Sequence, residues 1–166
     1  TMAWTTTSLV FALALGALLA FPLQAREQTL DPRLEAATHL YREEGAEQAL
    51  PVFEKLAGEF THASQIHDQT AALHYVGECH WRLGNFPEAH RHLDRALTLE
   101  RASRDQLSEG KTLNVRGLLS WDEGNYDRAI ADFHKAGAHA QEIGDKQLEG
   151  ASRGWAGRTA SDDGRP

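Results

Sequence analysis

The sequence predicts an all-α fold, a solenoid of stacked helix pairs, and three observations carry that prediction. An eight-residue phrase occurs twice, RLGNFPEA at 82–89 and DEGNYDRA at 122–129, with Gly-Asn-aromatic and the closing Ala kept while the charges change. The 40-residue spacing of those copies runs through the chain without an insertion or deletion. It links Ala37, Gly77, Gly117 and Gly157; Tyr41, Trp81 and Trp121; Ala49, Ala89 and Ala129; Phe53, Leu93 and Phe133; and Leu56, Ala96 and Ala136. Between the turn phrases, residues recur at three- and four-residue steps, as in Leu73, Val76, Gly77 and His80 and in Ala89, Leu93, Ala96 and Leu97. That is the period of a helix with one covered face. A fixed period of this length marks a repeat architecture, in which one unit cannot bury its own apolar face and stacking supplies the core.

Composition agrees with a folded chain: of 166 residues, 41% are hydrophobic and 25% charged. A net charge of -7 and a pI near 5.7 argue against a nucleic-acid partner, because phosphate binding needs clustered Lys and Arg. The 9 His residues would reduce that negative charge below about pH 6.5.

The first 25 residues hold no Asp, Glu, Lys, Arg or His, and LVFALALGALLA at 9–20 is an unbroken apolar run closed by Phe21-Pro22 and LQA. This predicts a secretory signal peptide over 1–25, cleaved after Ala25. The run is shorter than the roughly 20 residues that span a bilayer. It also lacks a basic n-region, so a retained N-terminal membrane anchor is the alternative. Cys79 is the single cysteine; it allows no intramolecular disulfide, and no cysteine follows the apolar run to take a lipid.

Residues 26–69 form the first, degenerate unit. Asp31 reads as an N-cap and Pro32 as the first helical residue. Pro51, two residues after Ala49, predicts a late start or slight kink in the second helix. Residues 70–109 and 110–149 form the two clean units. Gly84 and Gly124 suit the left-handed conformation that ends a helix, Asn85 and Asn125 suit the cap of the next, and Pro87 falls in its first turn. Glu100 and Arg104 stand at i,i+4 and predict a lengthened second helix. Gly144 ends a further helix and Asp145 caps its successor, with Asp105 in the matching place. Residues 150–166 read as a truncated fourth unit and polar tail, since LEGASRGWAGR brings Gly157 into register and TASDDGRP then breaks the pattern.

These residues resemble the tetratricopeptide repeat. That motif spaces Leu, Gly and an aromatic along its first helix, and a Gly-polar-aromatic turn with Ala, Phe and Ala follows in its second. The fullest match is LHYVGECHWRLGNFPEAHRHLDRAL at 73–97, then LNVRGLLSWDEGNYDRAIADFHKAG at 113–137. In RLEAATHLYREEGAEQALPVFEKLA at 33–57, Ala37 replaces Gly and Glu47 replaces the turn aromatic. The likeness covers roughly residues 30–157 and implies a right-handed helix-turn-helix solenoid. The period is long, 40 residues against the usual 34. Arg116 stands where an apolar residue is usual, and His80 and Ser120 where an aromatic is usual. By overall likeness the chain is also similar to the N-terminal part of bacterial repeat proteins that continue into a caspase-like CHAT domain.

In the resembled family, one side of the first helices lines a concave groove that holds peptides. There, Tyr41, Trp81 and Trp121 would anchor a partner, or else pack between adjacent repeats as core. Around them stand Arg42, His74, Glu78, Arg82, Lys111, Asn114 and Asp122, of which Arg82 and Lys111 suit a carboxylate. Lys111 and Asn114 are isolated parts of the family's carboxylate clamp, whose full set is not reproduced. The histidine pairs lack i,i+4 spacing on one helix face, so no metal site is expected. Cys79 reads as a small core residue, and no phosphate-cradling loop or paired carboxylates stand out. No catalytic residue and no cofactor are therefore expected.

The expected function is a protein-interaction scaffold, not an enzyme, exported to a bacterial periplasm. Two alternatives remain: a regulatory arm of a longer enzyme with catalysis downstream, or self-association through an uncapped C-terminal end exposing Trp155.

Overall fold

A computed structural model of the chain describes residues 29–164; the expected signal peptide lies outside them. Among the described residues are seven helices and no strand: α1 Pro32–Glu44, α2 Ala46–His62, α3 Ile66–Arg82, α4 Phe86–Ser103, α5 Gln106–Asp122, α6 Tyr126–Ile143 and α7 Lys146–Asp162. Each helix packs on its chain neighbours, and the whole is a tetratricopeptide-like helical solenoid. None of these helices is long and apolar enough to cross a membrane. The pairs open at Ile66 and Gln106, four residues before the unit boundaries taken from the sequence register.

Helices α2–α7 run 17 or 18 residues each, and the chain must reverse between them within two or three residues. It does so through one left-handed residue every twenty: Ser64, Gly84, Arg104, Gly124 and Gly144 have φ between 56° and 78°. The next N–H then reaches back five residues, from Gln65 to the Phe60 carbonyl, Asn85 to His80, Asp105 to Glu100, Asn125 to Ser120 and Asp145 to Ala140, at 2.8–3.0 Å. These bonds satisfy carbonyls that a helix end leaves without partners. Glycine takes the left-handed conformation without strain, whereas Ser64 and Arg104 adopt it against their Cβ.

The expected lengthened second helix is there, since α4 runs 18 residues through Ser103, but Arg104 is not part of it. It ends the helix, and Glu100 points inward. Asp31, Asp105, Asn125 and Asp145 cap their helices through their side chains; Asn85 makes no such bond. Pro51 does not delay α2, which starts at Ala46 straight after Gly45.

Close helix approach builds the core. A Cβ on Gly77 would lie 2.6 Å from Leu93 Cγ, and one on Gly117 would lie 2.6 Å from Phe133 Cε1. Leu93 and Phe133 are buried, as are Ala49, Ala89, Ala96, Ala129 and Ala136. Gly110 supplies a contact the register did not mark: its Cβ would meet Leu148 Cδ2 of α7 at 2.9 Å. Arg116, in a position suited to an apolar residue, is accommodated by charge. Its Nε and one terminal nitrogen donate to Asp132 at 2.8 and 2.6 Å, and the other terminal nitrogen donates to Asp94 at 2.7 Å. One guanidinium thus clasps α4, α5 and α6.

Consecutive first helices approach closely (α1 with α3, α3 with α5, α5 with α7), while the backbones of α2, α4 and α6 stay further apart and α4 meets α6 only through long side chains, Arg128 reaching Asp94 at 3.6 Å. A stack closer on one side than the other bends toward the closer side, so α1, α3, α5 and α7 line the concave face. On α7 the outward residues are small or polar, among them Gly150, Ala151, Arg153, Gly154, Gly157 and Arg158. Trp155 is not left exposed as expected. It is half-buried, 6.1 Å from Trp121 and 6.3 Å from Phe133 between ring centres, with the Arg158 guanidinium 4.8 Å over its ring.

Gly77 and Gly157 share one register and should respond oppositely to alanine. Gly77→Ala overpacks Leu93 and is expected to destabilise by about 1–3 kcal/mol. Gly157 faces nothing within 4 Å, so Gly157→Ala should stabilise by up to about 1 kcal/mol through helix propensity. Urea denaturation of the two variants measures both signs.

Candidate binding groove

The aromatic register forms a ladder along the concave face. Tyr41 ends α1 and donates its hydroxyl to Glu78 Oε1 at 3.0 Å; Trp81 ends α3 and donates Nε1–H to Asp122 at 2.6 Å; Trp121 ends α5 and donates Nε1–H to Asp162 at 2.8 Å. Each ring sits in a helix's last turn and hands its polar atom to a carboxylate on the next first helix. Burial, then the adjacent Glu78 carboxylate, pushes the Tyr41 hydroxyl above its ordinary range. All three rings are half-buried. Trp81 packs against Ala89, Leu93 and Leu119, and Trp121 against Ala129, Phe133 and Ala156. They are therefore joints between repeats that also keep one edge toward the groove.

Arg82 occupies the register position of Asp122 and Asp162. Its guanidinium lies 4.5 Å over the Trp81 ring, and one terminal nitrogen is 3.6 Å from Glu78. The structure thus brings Tyr41, Glu78, Trp81, Arg82 and Asp122 into one line. Arg42 stands apart on the exposed side of α1. Asn114 lies one repeat further on and accepts from Ser152 Oγ of α7 at 3.2 Å.

His74 and Lys111 belong to a second feature, a cavity of about 270 Å³ between the N-terminal halves of α3 and α5. Leu30, Ala71, Tyr75 and Leu107 form its apolar wall, with Ser108, Thr112 and Glu100 among the polar residues. His74 Nδ1 and Thr112 Oγ1 are 3.0 Å apart, and Thr112 Oγ1 donates to Glu100 Oε1 at 2.9 Å. The His74 proton then sits on Nδ1. Burial lowers the His74 pKa, which keeps the ring neutral near pH 7.

Glu100 is 1% exposed, and burial pushes its carboxyl up to about 7. It falls in register with Phe60 and Ala140, both buried. A carboxylate in a core register was the signal that could have found it. Asp162 was similarly readable, as the residue 40 beyond Asp122.

His80, Glu88 and His92 offer ligand atoms within 4.8 Å of one another. Glu88 and His92 are spaced i,i+4 on α4, and His80 joins them across the helix pair, an arrangement that was not anticipated. The Arg91 guanidinium already bonds both Glu88 and His92, the latter at 2.9 Å. The two imidazoles are stacked 12° from parallel. A metal bonding both rings in plane would need Arg91 to leave and the rings to turn. Cys79 is fully buried, and burial pushes its thiol up to about 12, far from the thiolate that nucleophilic chemistry needs.

Stacked helix pairs with a lined concave face define a repeat scaffold. The tetratricopeptide repeat model matches residues 70–103, covering most of α3 and all of α4. The chain is a tetratricopeptide-repeat-like protein. A comparison with curated proteins finds no match.

If the ladder joins repeats, Trp121→Ala should lose about 2 kcal/mol, less than a fully buried tryptophan would. Trp121→Phe keeps the packing, loses the bond to Asp162 and should cost about 1 kcal/mol. Thermal melts at unchanged helical circular dichroism would show this order; equal melts for both variants and the parent would remove Trp121 from the joint.

Proposed function

We propose that this chain is a scaffold that holds an extended or helical peptide segment of a protein partner along its concave face. Tetratricopeptide repeats generally mediate protein–protein interaction. The observation that carries the reading here is the line of half-buried aromatics with the exposed Arg82 stacked on Trp81, and with Lys111 at the neighbouring cavity, on the face that the first helices share. Aromatics fixed in a joint lose little freedom on binding, which suits them as anchors. Mixed charge along the line favours a segment carrying carboxylates opposite Arg82 and Lys111 and a base opposite Glu78. The work is binding, with no bond made or broken.

A peptide selected from a displayed random library against residues 26–166 tests this. Arg82→Glu should weaken its binding by about tenfold or more, while Arg95→Glu, exposed on α4 away from the concave face, should leave it unchanged. The reverse pattern would sink the groove reading. Export is part of the proposal, motivated by the uncharged 1–25 stretch. N-terminal sequencing of the exported protein should begin at Arg26, and a protein retaining residues 1–25 would favour the anchor.

A further inference from the structure

We propose that the cavity between α3 and α5 is a subsite for a primary ammonium group carried on an aliphatic stem, with the Glu100 carboxylate as its counter-ion. The proposal rests on the groove reading only in placing the subsite on the concave face. Glu100 Oε1 is held by Thr112, but Oε2 is buried and has no hydrogen-bond partner. A buried carboxylate oxygen left unmatched costs free energy that a donor would recover. The cavity that Glu100 lines is where such a donor can arrive. Its apolar wall of Leu30, Ala71, Tyr75 and Leu107 matches a methylene stem, and about 270 Å³ accommodates a lysine-sized group.

The chain of donors has a direction. Thr112 Oγ1 donates its one proton to Glu100 Oε1, which leaves it to accept from His74 Nδ1 at 3.0 Å, so on the ionised carboxyl Oε2 is the oxygen without a donor. An ammonium there would meet an ionised partner, whereas the empty site favours the protonated carboxyl. Binding therefore releases a proton below about pH 7, and affinity should fall about tenfold per pH unit as pH drops from 6.5 to 5.5. Above about pH 7.5 it should level off. The other charged or titratable groups around Glu100 are Arg101 on its own helix, Asp105 in the following turn, Glu109 and Lys111 on α5, and His67 and His74 on α3. Comparison with Glu100→Gln separates its proton from theirs.

Three probes identify the chemistry by amide shifts at Thr112 and His74 in nuclear magnetic resonance. Nα-acetyl-lysine-N-methylamide carries the ammonium on a side chain, leucinamide carries it at an N-terminus, and Nα-acetyl-norleucine-N-methylamide carries none. The lysine probe should bind saturably and the norleucine probe at least about tenfold more weakly. Binding by leucinamide alone would keep the ammonium site and assign it to a chain terminus. Glu100→Gln should abolish the pH dependence and weaken ammonium binding about tenfold. Equal binding by all probes, no saturable binding, or a Glu100→Gln variant that binds like the parent would overturn the proposal. Should that variant fail to fold, calorimetry of the parent in two buffers decides: about one proton released per ammonium bound at pH 6 supports the site, and none overturns it. Ammonium binding that persists while the selected peptide ignores Arg82 would discard the groove reading alone.

Discussion

Two helices meeting at a glycine is the constraint on which the rest depends. Gly77 admits Leu93 and Gly117 admits Phe133 to distances that any Cβ would forbid. That contact brings the pair close enough for the next first helix to be reached at all. The ladder from Tyr41 to Asp162 exists because α1, α3, α5 and α7 lie side by side, and the cavity at Glu100 lies between two of them, α3 and α5. The twenty-residue turn spacing keeps every such contact in phase. A single inserted residue in one helix would rotate its glycine about 100° away from the partner.

The polar residues inside this frame fall into two kinds. Arg116 with Asp94 and Asp132, and Glu109 with Arg101 and Lys135, are paired charges that tie three helices at a time. For Glu109, burial alone would raise the carboxyl, yet the bonds from Arg101 and Lys135 outweigh it and the pKa is lowered. Glu100 is the contrast. It is more deeply enclosed, has one neutral donor, and is shifted the other way. Two carboxylates nine residues apart in the same array thus differ in their surroundings: one is matched by charge within the fold, the other keeps a buried oxygen without a donor.

How far the sequence reached can be judged residue by residue. Gly77, Ala89, Leu93 and Phe133 were readable because small and large residues alternate at one fixed period, and packing acts through size. The turns at Gly84, Gly124 and Gly144 were readable because glycine announces positive φ, and those at Ser64 and Arg104 were not, because context alone forces it there. Arg104 misled for that reason, since an i,i+4 charge pattern presumes that the helix continues. The ladder was half visible: the aromatics stood in register, but their acceptors sit about 40 residues away on another helix, and pairing at that range has no local signature. His80, Glu88 and His92 were overlooked likewise, because spacing rules see one helix and this group spans two.

The ladder has a mechanical consequence. Every cross-repeat hydrogen bond from an aromatic lies on the side where first helices touch, whereas α4 and α6 meet only through long, exposed side chains such as Arg128 with Asp94. Such an array is stiff along its inner side and compliant along its outer one. It can splay or close its outer helices at little cost, whereas stretching the inner side must part a ring from a carboxylate at each joint. The spacing between successive rings is thereby held nearly constant while the outer helices flex, so the inner face works as a ruler.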